Sequence, residues 1–507
     1  MAAALGLLLV QAAVASPPLV DAARSADRET ALKLLAKRVD ANQASGDGTT
    51  ALHWAAHWAD PQLVRALLKA RADVNRANRY GATPLSEAAV TGNTEVLSLL
   101  LRAGADVESA NADGQTALMI VARSSNVEAA KLLLDHGANV NAREQWREQT
   151  ALMWAAAQSQ PEMLRLLLKH GADPNARSAV NRWERLVSAE PRVHFRKPGG
   201  WTALLYAARQ GCVECARVLL SAGADPDIAD PEDVTPLLLS IINLHFDFAR
   251  VLVESGANPN KWDWRGRTPL YVAIDMNTLP EGGWPDRPSL DQTTPLELAR
   301  LLLAKGANPN AQLKLYQIGR SIKDDRGRDL LLSIGATPLL RAAKTFDVPA
   351  IELLLAHGAH PNLPNEGGIT PAQIGGISPL MAAAGLGSRN GDARGKYDTP
   401  DVQDRSIAAL KALLAGGADI NQADAHGRTA LHSAAFWGWP RVVEFLAAHG
   451  ANLMAEDADG MNPVDAARGK MKEGRLGAPT PGKGHEQTAA LLERLMAETR
   501  GVAVRAP

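Results

Sequence analysis

Residues 83–106 read TPLSEAAVTGNTEVLSLLLRAGAD, and the same pattern returns at 116–139 as TALMIVARSSNVEAAKLLLDHGAN. Both stretches open on Thr-Pro-Leu or Thr-Ala-Leu, continue through two Ala/Leu-rich segments, and close on Gly-Ala-Asp or Gly-Ala-Asn. A pattern that recurs at a fixed period predicts a repeat array, because one such unit can bury its apolar face only against its neighbours.

The Gly-Ala-Asp/Asn motif sets the period of this repeat. Five of the nine gaps between successive copies are 33 or 34 residues, and the other four are 50 to 59 residues. The base period is therefore 33, and four units carry insertions. The alanines of the motif and of its two variants are Ala72, Ala105, Ala138, Ala172, Ala224, Ala257, Ala307, Ala359, Ala418 and Ala451.

A second motif keeps phase with the first and gives the family resemblance. It begins at Thr50, Thr83, Thr116, Thr150, Thr202, Thr235, Thr268, Thr337, Ser378 and Thr429. With its following Pro/Ala-Leu, this motif resembles the T-P-L-H-x-A mark of the ankyrin repeat, from about Leu19 to Met496. The resemblance implies an all-α ankyrin-repeat solenoid of about twelve helix-turn-helix units with β-turn fingers, interrupted by several insertions.

The chemistry of one unit agrees with this fold. The motif Thr is a favourable N-cap, and Pro at the next position suits the first residue of a helix. Paired alanines such as Ala88-Ala89 allow the next repeat to approach closely. A glycine such as Gly104 then stands where a left-handed C-cap ends the second helix.

The repeat phase also predicts the organisation of the chain. We expect an N-terminal capping half-repeat, a central repeat array, a C-terminal capping repeat and a disordered tail. Their predicted bounds are 16–46, 47–459, 460–497 and 498–507, with insertions near 176–200, 276–294, 311–334, 363–375 and 387–402. Loops of this length inside an array are either functional or disordered. Arg341 stands where other units carry an apolar residue, which leaves the packing beside the third insertion open.

Composition excludes some classes of partner. The 507-residue chain has a formal net charge of −1 and 21% charged residues, so it lacks the basic excess of a nucleic-acid-binding protein. Beyond the N-terminus, no stretch approaches the roughly 20 apolar residues that a membrane span needs. We expect a monomer that binds an unidentified protein partner, with no nucleic acid and no membrane span.

The N-terminus resembles a secretory signal peptide. An apolar run covers 2–10, and Ala13-Val14-Ala15 fits a small-x-small cleavage site before Ser16, although no Lys or Arg precedes the run. We therefore expect a signal peptide at 1–15 and a periplasmic or secreted protein, as in the exported bacterial multi-ankyrin proteins that the chain resembles. The alternative is a cytoplasmic adaptor.

The two cysteines, Cys212 and Cys215, form a C-x-x-C pair. On a helix, side chains three residues apart share a face, so a local disulfide is feasible in an oxidising compartment. The favoured interpretation is that both residues are small core-filling side chains.

Catalytic and metal-binding patterns are absent from the sequence. His53 and His57 have a spacing that can bind zinc, but the resemblance implies that His53 supports the adjacent loop by hydrogen bonding. We expect no metal, no cofactor and no catalytic residue. The alternative is an enzyme or ligand-binding protein whose site the insertions build over the groove, near His194, Arg196 and Lys197.

Ankyrin proteins of this type typically bind through their finger tips and the inner, concave face of the first helices. Carried over by position, this implies a partner-binding set rich in Trp, Tyr and Arg, the residues that dominate interface hot spots. The predicted set is Trp58, Arg79, Tyr80, Arg123, Trp146, Trp201, Arg209, Gln210, Trp262, Trp264 and Trp437.

Overall fold

The computed structural model describes residues 16–180, 199–277, 289–314, 334–367, 375–386, 399–470 and 484–503. The described residues form two compact units, with unit 1 ending at Asp225 and unit 2 beginning at Pro226. Within the described ranges every regular element is a helix, apart from three isolated β-bridges. The predicted all-α ankyrin-repeat fold is confirmed.

Unit 1 consists of six helix pairs, in which odd-numbered helices are inner and even-numbered helices are outer. Its helices are α1 Pro18–Arg24, α2 Arg28–Ala36, α3 Ala51–His57, α4 Pro61–Lys69, α5 Pro84–Thr91, α6 Thr94–Arg102, α7 Ala117–Arg123, α8 Val127–Asp135, α9 Ala151–Ala157, α10 Pro161–Lys169, α11 Ala203–Gln210 and α12 Val213–Ser221. Inner helices pack on inner helices from α1 to α11, and outer helices pack on outer helices from α2 to α12.

Unit 2 repeats the same two-layer arrangement. Its helices are α13 Pro236–Ile242, α14 Phe246–Glu254, α15 Pro269–Asn277, α16 Pro295–Ala304, α17 Pro338–Lys344, α18 Val348–Ala356, α19 Pro379–Ala383, α20 Val402–Ala415, α21 Ala430–Phe436, α22 Pro440–Ala448, α23 Pro463–Ala467 and α24 Glu486–Ala503. The odd-numbered helices again form one layer, from α13 to α23.

The motif residues explain why each helix begins where it does. The Thr150 hydroxyl accepts a hydrogen bond from the Met153 amide and so satisfies one of the free N–H groups of α9. The paired alanines Ala155 and Ala156 are fully buried, which lets the neighbouring inner helices approach. At the end of α8, Gly137 adopts φ = 90°, a left-handed conformation that favours glycine.

A ladder of asparagines joins consecutive repeats, and sequence inspection did not identify it. In unit 1, the Asn141 amide donates to the Gly171 carbonyl at 3.0 Å and accepts from the Asp173 backbone N–H at 2.9 Å. The same two bonds to the next repeat are made by Asn75, Asn175, Asn260, Asn310, Asn362 and Asn421. The signal was present in the sequence as an Asn three residues after the motif alanine.

Most of each predicted insertion lies outside the described residues, which omit 181–198, 278–288, 315–333, 368–374 and 387–398. At the first insertion, Val180 pairs with Gly199 in an antiparallel bridge, and the Ser178 amide donates to the Trp201 carbonyl at 3.0 Å. The chain therefore leaves and re-enters the finger at adjacent positions, so an insertion at this point leaves the repeat intact.

One expectation is wrong in the structure, and another stays a prediction. The tail 498–507 was predicted to be disordered; α24 extends to Ala503, and residues 504–507 lie outside the described residues. Cys212 and Cys215 were favoured as separate core residues, but they form a disulfide. Cys212 is the N-cap of α12 and Cys215 lies in its first turn, which places their Cα atoms 5.2 Å apart, within disulfide reach.

Candidate binding surface

The inner helices present two positions to the inner side of the array, the fourth and the seventh residue after the motif Thr or Ser. We call these positions in unit 1 the open inner face, because none of them is buried. Its members are Trp54, His57, Glu87, Val90, Ile120, Arg123, Trp154, Ala157, Tyr206 and Arg209.

The equivalent positions of unit 2 are mostly buried. Every one of them between α13 and α21 is buried, except for Leu239 at the start and Phe436 at the end. The buried members are Ile242, Val272, Asp275, Arg341, Lys344, Ala382, Gly385 and Ser433. The two units therefore carry the same helices but differ in whether their inner positions can be reached by a partner.

Arg123 and Trp154 form the centre of the open inner face. The Arg123 guanidinium lies over the Trp154 ring, 4.5 Å from the ring centroid, in a cation–π contact. Arg123 is exposed, so this contact orients the guanidinium without removing it from solvent. Val90, on the neighbouring α5, is 57% exposed and leaves an apolar patch beside it.

At the N-terminal end of this face, His57, Glu87 and Trp58 hold one another in place. His57 Nδ1 lies 2.9 Å from the Glu87 carboxylate, and the Trp58 indole packs edge-on against the His57 ring. The Trp58 indole N–H also donates to the Arg24 carbonyl at 3.1 Å. A cleft of about 200 Å³ opens beside them, and its lining residues are Val20, Arg24, Ser45, Gly46, Asp47 and Trp54.

The finger tips of unit 1 are joined by backbone hydrogen bonds. The Arg79 amide donates to the Asp47 carbonyl at 2.8 Å, the Ala112 amide to the Tyr80 carbonyl at 3.0 Å, and the Gln145 amide to the Asp113 carbonyl at 3.0 Å. Trp146, which is 75% exposed, donates its indole N–H to Asp113 at 3.0 Å. The exposed side chains of successive tips are thus held in a fixed order along one edge.

A buried charged cluster replaces the open surface in unit 2. Arg341 on α17 is fully buried, and its Nε lies 2.5 Å from the Asp275 carboxylate on α15. Lys344, one turn further along α17, is also fully buried. A cation therefore occupies the position where three repeats of unit 1 carry Trp or Tyr, and an ion pair between neighbouring inner helices accommodates it.

The structure exposes most of the predicted partner-binding residues. They are Trp58, Arg79, Tyr80, Arg123, Trp146, Arg209, Gln210 and Trp262. Trp264 and Trp437 are half-buried, and the Trp437 indole N–H donates to the Gly385 carbonyl at 2.9 Å. All of the exposed residues except Trp262 belong to unit 1.

The prediction that Trp201 contacts a partner is wrong, because only 7% of this residue is exposed. Its ring packs edge-on against Tyr206 at a centroid distance of 5.2 Å, and its amide donates to the Ser178 hydroxyl at 2.9 Å. Arg265, next to the predicted residue Trp264, is buried with its guanidinium group over the Trp264 ring, and burial lowers the pKa of Arg265 to about 10.

The motif histidines are structural, as the family resemblance implied. His53 Nδ1 accepts from the Thr50 amide at 3.1 Å, and Nε2 lies 3.0 Å from the Ala82 carbonyl, which requires the neutral tautomer with the proton on Nε2. Among the described residues no group of three or more His, Cys, Asp or Glu side chains could hold a metal ion. None of the described helices is long and apolar enough to cross a membrane.

Comparison with known proteins agrees with the repeat register. A three-copy ankyrin-repeat model matches residues 19–111, 103–178, 222–313 and 402–471, and a single-repeat model matches 199–231 and 334–366. Inversin of Gallus gallus is 45% identical over 58 residues, which are 11% of this chain and 5% of inversin. The chain thus spans only a small part of that relative's length.

The ankyrin repeat domain of human ASB11 is a solved structure similar to this chain, at 23% identity and a TM-score of 0.39 over 48% of this chain and 99% of that domain. The ankyrin models alone match more than half of the 507 residues and place their repeats on the helix pairs described above. This chain belongs to the ankyrin repeat family.

Proposed function

We propose that this protein is a non-catalytic scaffold that binds a partner protein through the open inner face and the finger tips of unit 1. Ankyrin repeats are typically protein–protein interaction domains. The observation that carries the proposal is the contrast between the two units, since inner positions are accessible in unit 1 and buried across most of unit 2.

The residues on the open inner face have the chemistry of an interface. Val90 on this face and Trp58 directly beside it expose large apolar side chains, and Arg123 and Arg209 on this face are exposed. Trp, Tyr and Arg are the side chains whose truncation most often costs about 2 kcal/mol or more of binding energy. A hydrogen bond to the Arg24 carbonyl already holds Trp58, and the Trp154 ring holds Arg123, so less side-chain entropy is lost when a partner binds.

The test is a quantitative affinity capture with two matched variants of the full chain. The inner-face variant carries Trp58→Ala, Arg123→Ala and Arg209→Ala, and the control carries Lys69→Ala, Arg102→Ala and Arg217→Ala on the exposed side of the outer helices. We expect the inner-face variant to recover at least about tenfold less of each specific partner, and the control to match wild type. Equal recovery by all three folded proteins contradicts the proposal.

We also propose that the protein is exported, as are the bacterial multi-ankyrin proteins that the chain resembles. Two observations support it: the apolar N-terminal run before Ser16, and the Cys212–Cys215 disulfide, since disulfides persist mainly in oxidising compartments. A periplasmic or secreted partner follows from this localisation.

A further inference from the structure

We infer that the partner of unit 1 presents an extended acidic segment, bound by Arg79, Arg123 and Arg147 and by the aromatic rings beside them. The inference rests on the proposed binding function and names the class of partner. Arg79 and Arg147 lie at finger tips, Arg123 lies on α7 between them, and all three side chains are exposed.

The three arginines are available for a partner. Within the described part of the chain, no carboxylate pairs with any of their guanidinium groups. Arg79 and Arg147 are held by their backbones alone, through the Arg79 amide to Asp47 and the Arg147 carbonyl to the Ala179 amide. Arg123 is exposed, and its guanidinium group lies over the Trp154 ring.

The acidic residues on the same surface are already engaged. Glu148 lies 3.4 Å from Arg143, Asp113 accepts from the Trp146 indole, and Glu87 pairs with His57. Glu144 is buried and accepts from the backbone amides of its own finger. Contacts within the unit thus occupy these carboxylates, while the three arginine side chains are exposed.

The spacing suits an extended peptide. Arg79 and Arg147 are separated by two repeats, or roughly 20 Å at 8–10 Å between packed helices. An extended chain rises about 3.3 Å per residue, so about six residues span this distance. Tyr80 and Trp146, both exposed next to these arginines, offer apolar surface to the side chains between the acidic positions.

A protein segment fits this surface better than a nucleic acid does. The whole chain has a formal net charge of −1, without the broad positive field that gathers a phosphate backbone. Three separated arginines with interleaved aromatic side chains match individual carboxylates spaced along an amphipathic peptide. Arginine also binds carboxylates through two parallel hydrogen bonds, which gives geometric selectivity.

Fluorescence anisotropy on the full chain tests the inference with three labelled probes. These are an acidic peptide of about twelve residues built on Glu-Glu-Leu, its Lys-Lys-Leu counterpart, and an oligothymidylate of about the same length. We expect the acidic peptide alone to bind. Binding of this peptide should weaken as salt rises from about 0.05 to about 0.5 M, because added ions screen exposed charges.

A charge-reversal variant with Arg79→Glu, Arg123→Glu and Arg147→Glu should bind the acidic peptide at least about tenfold more weakly. The matched control, Lys69→Glu, Arg102→Glu and Arg217→Glu, makes the same change in net charge on the outer helices and should retain wild-type affinity. A milder series with Gln at the three arginines gives an intermediate loss and avoids any effect of charge repulsion on folding.

The outcomes separate this inference from the proposed function. No binding of the acidic peptide to wild type, equal binding by the charge-reversal variant and wild type, or tighter binding of the oligothymidylate overturns the acidic-segment inference. If the inner-face variant has still lost its captured partners, the scaffold function stands with a partner of other chemistry. If capture by that variant is unchanged as well, both proposals fail.

Discussion

His53 and His432 each connect the start of an inner helix to the following finger through hydrogen bonds. Each is the third residue of its inner helix and closes a capping box with the motif Thr, and each bonds a backbone carbonyl in the following finger. One lies in unit 1 and the other in unit 2. Burial lowers the pKa of both imidazoles below the usual value of 6.5.

This lowered pKa predicts that stability depends on pH. The unfolded chain binds protons to these histidines below about pH 6.5, while the folded chain resists protonation. The contribution is therefore present in full above pH 6.5 and is lost as the pH falls from 6.5 through the lower folded-state pKa. Thermal unfolding of wild type between about pH 7.5 and 5 should show this loss.

The matched variant is His53→Gln with His432→Gln. Glutamine at the third position can still close a capping box, but it does not titrate. We expect its melting temperature to fall less than that of wild type over the same pH range. An identical fall in both proteins would show that other groups control the acid sensitivity.

Single residues also mark the limit of what the sequence could predict. The role of His53 follows from a local four-residue motif, and the sequence indicated it correctly. The burial of Trp201 depends on its packing against Tyr206, and the Asn141 contacts depend on the next repeat. The disulfide was not the favoured interpretation, because C-x-x-C spacing permits either state until the cap geometry of α12 is known.

At the scale of elements, the pairing of α15 with α17 is the most unusual feature of the array. These two inner helices share the Asp275–Arg341 ion pair with both residues buried, whereas the residues of the equivalent His57–Glu87 contact between α3 and α5 are partly exposed. The partners are 66 residues apart, with two insertions between them, so repeat-based reasoning identified Arg341 as irregular but could not identify Asp275.

Breaking this pair should destabilise unit 2 strongly. Asp275→Ala removes a buried carboxylate that lies against Arg341, and removal of one partner of a buried ion pair typically costs about 3–5 kcal/mol. Replacement of both residues by leucine should cost much less, because neither member of the pair is then left without its partner. Chemical denaturation measures the free energy of unfolding of each variant.

The control for this prediction is an exposed ion pair in the same unit, Asp404 with Arg441. Arg441→Ala should cost far less than Asp275→Ala, since solvent screens exposed charges. Equal losses from the two single variants would mean that the buried pair has no special role in joining α15 to α17.

At the scale of the whole molecule, one sequence pattern gives two units with different surfaces. The motif positions predicted the helix pairs and the family, and family models confirm both. The same positions could not predict that the inner face is open in unit 1 and closed in unit 2, because burial depends on the surroundings of a helix. The exposed predicted residues accordingly concentrate in unit 1.

Export is a property of the whole chain and has a direct test. If the N-terminal run is a cleaved signal, intact-mass and N-terminal peptide analysis of the protein from its native source should give Ser16 as the first residue. The same preparation should show no reactive thiol before reduction, because Cys212 and Cys215 are bonded to each other. A mature chain that still begins at Met1 contradicts export.

Site-specific photo-cross-linking tests whether a partner protein contacts the open inner face of unit 1. A photoreactive phenylalanine analogue is placed at Val90 on the inner helix α5 or, as the control, at Arg102 on the outer helix α6, both of which are exposed. If the open inner face is the binding surface, covalent adducts with a partner protein form from position 90 and not from position 102. Adducts from position 102 alone, or from neither position, would rule out this surface.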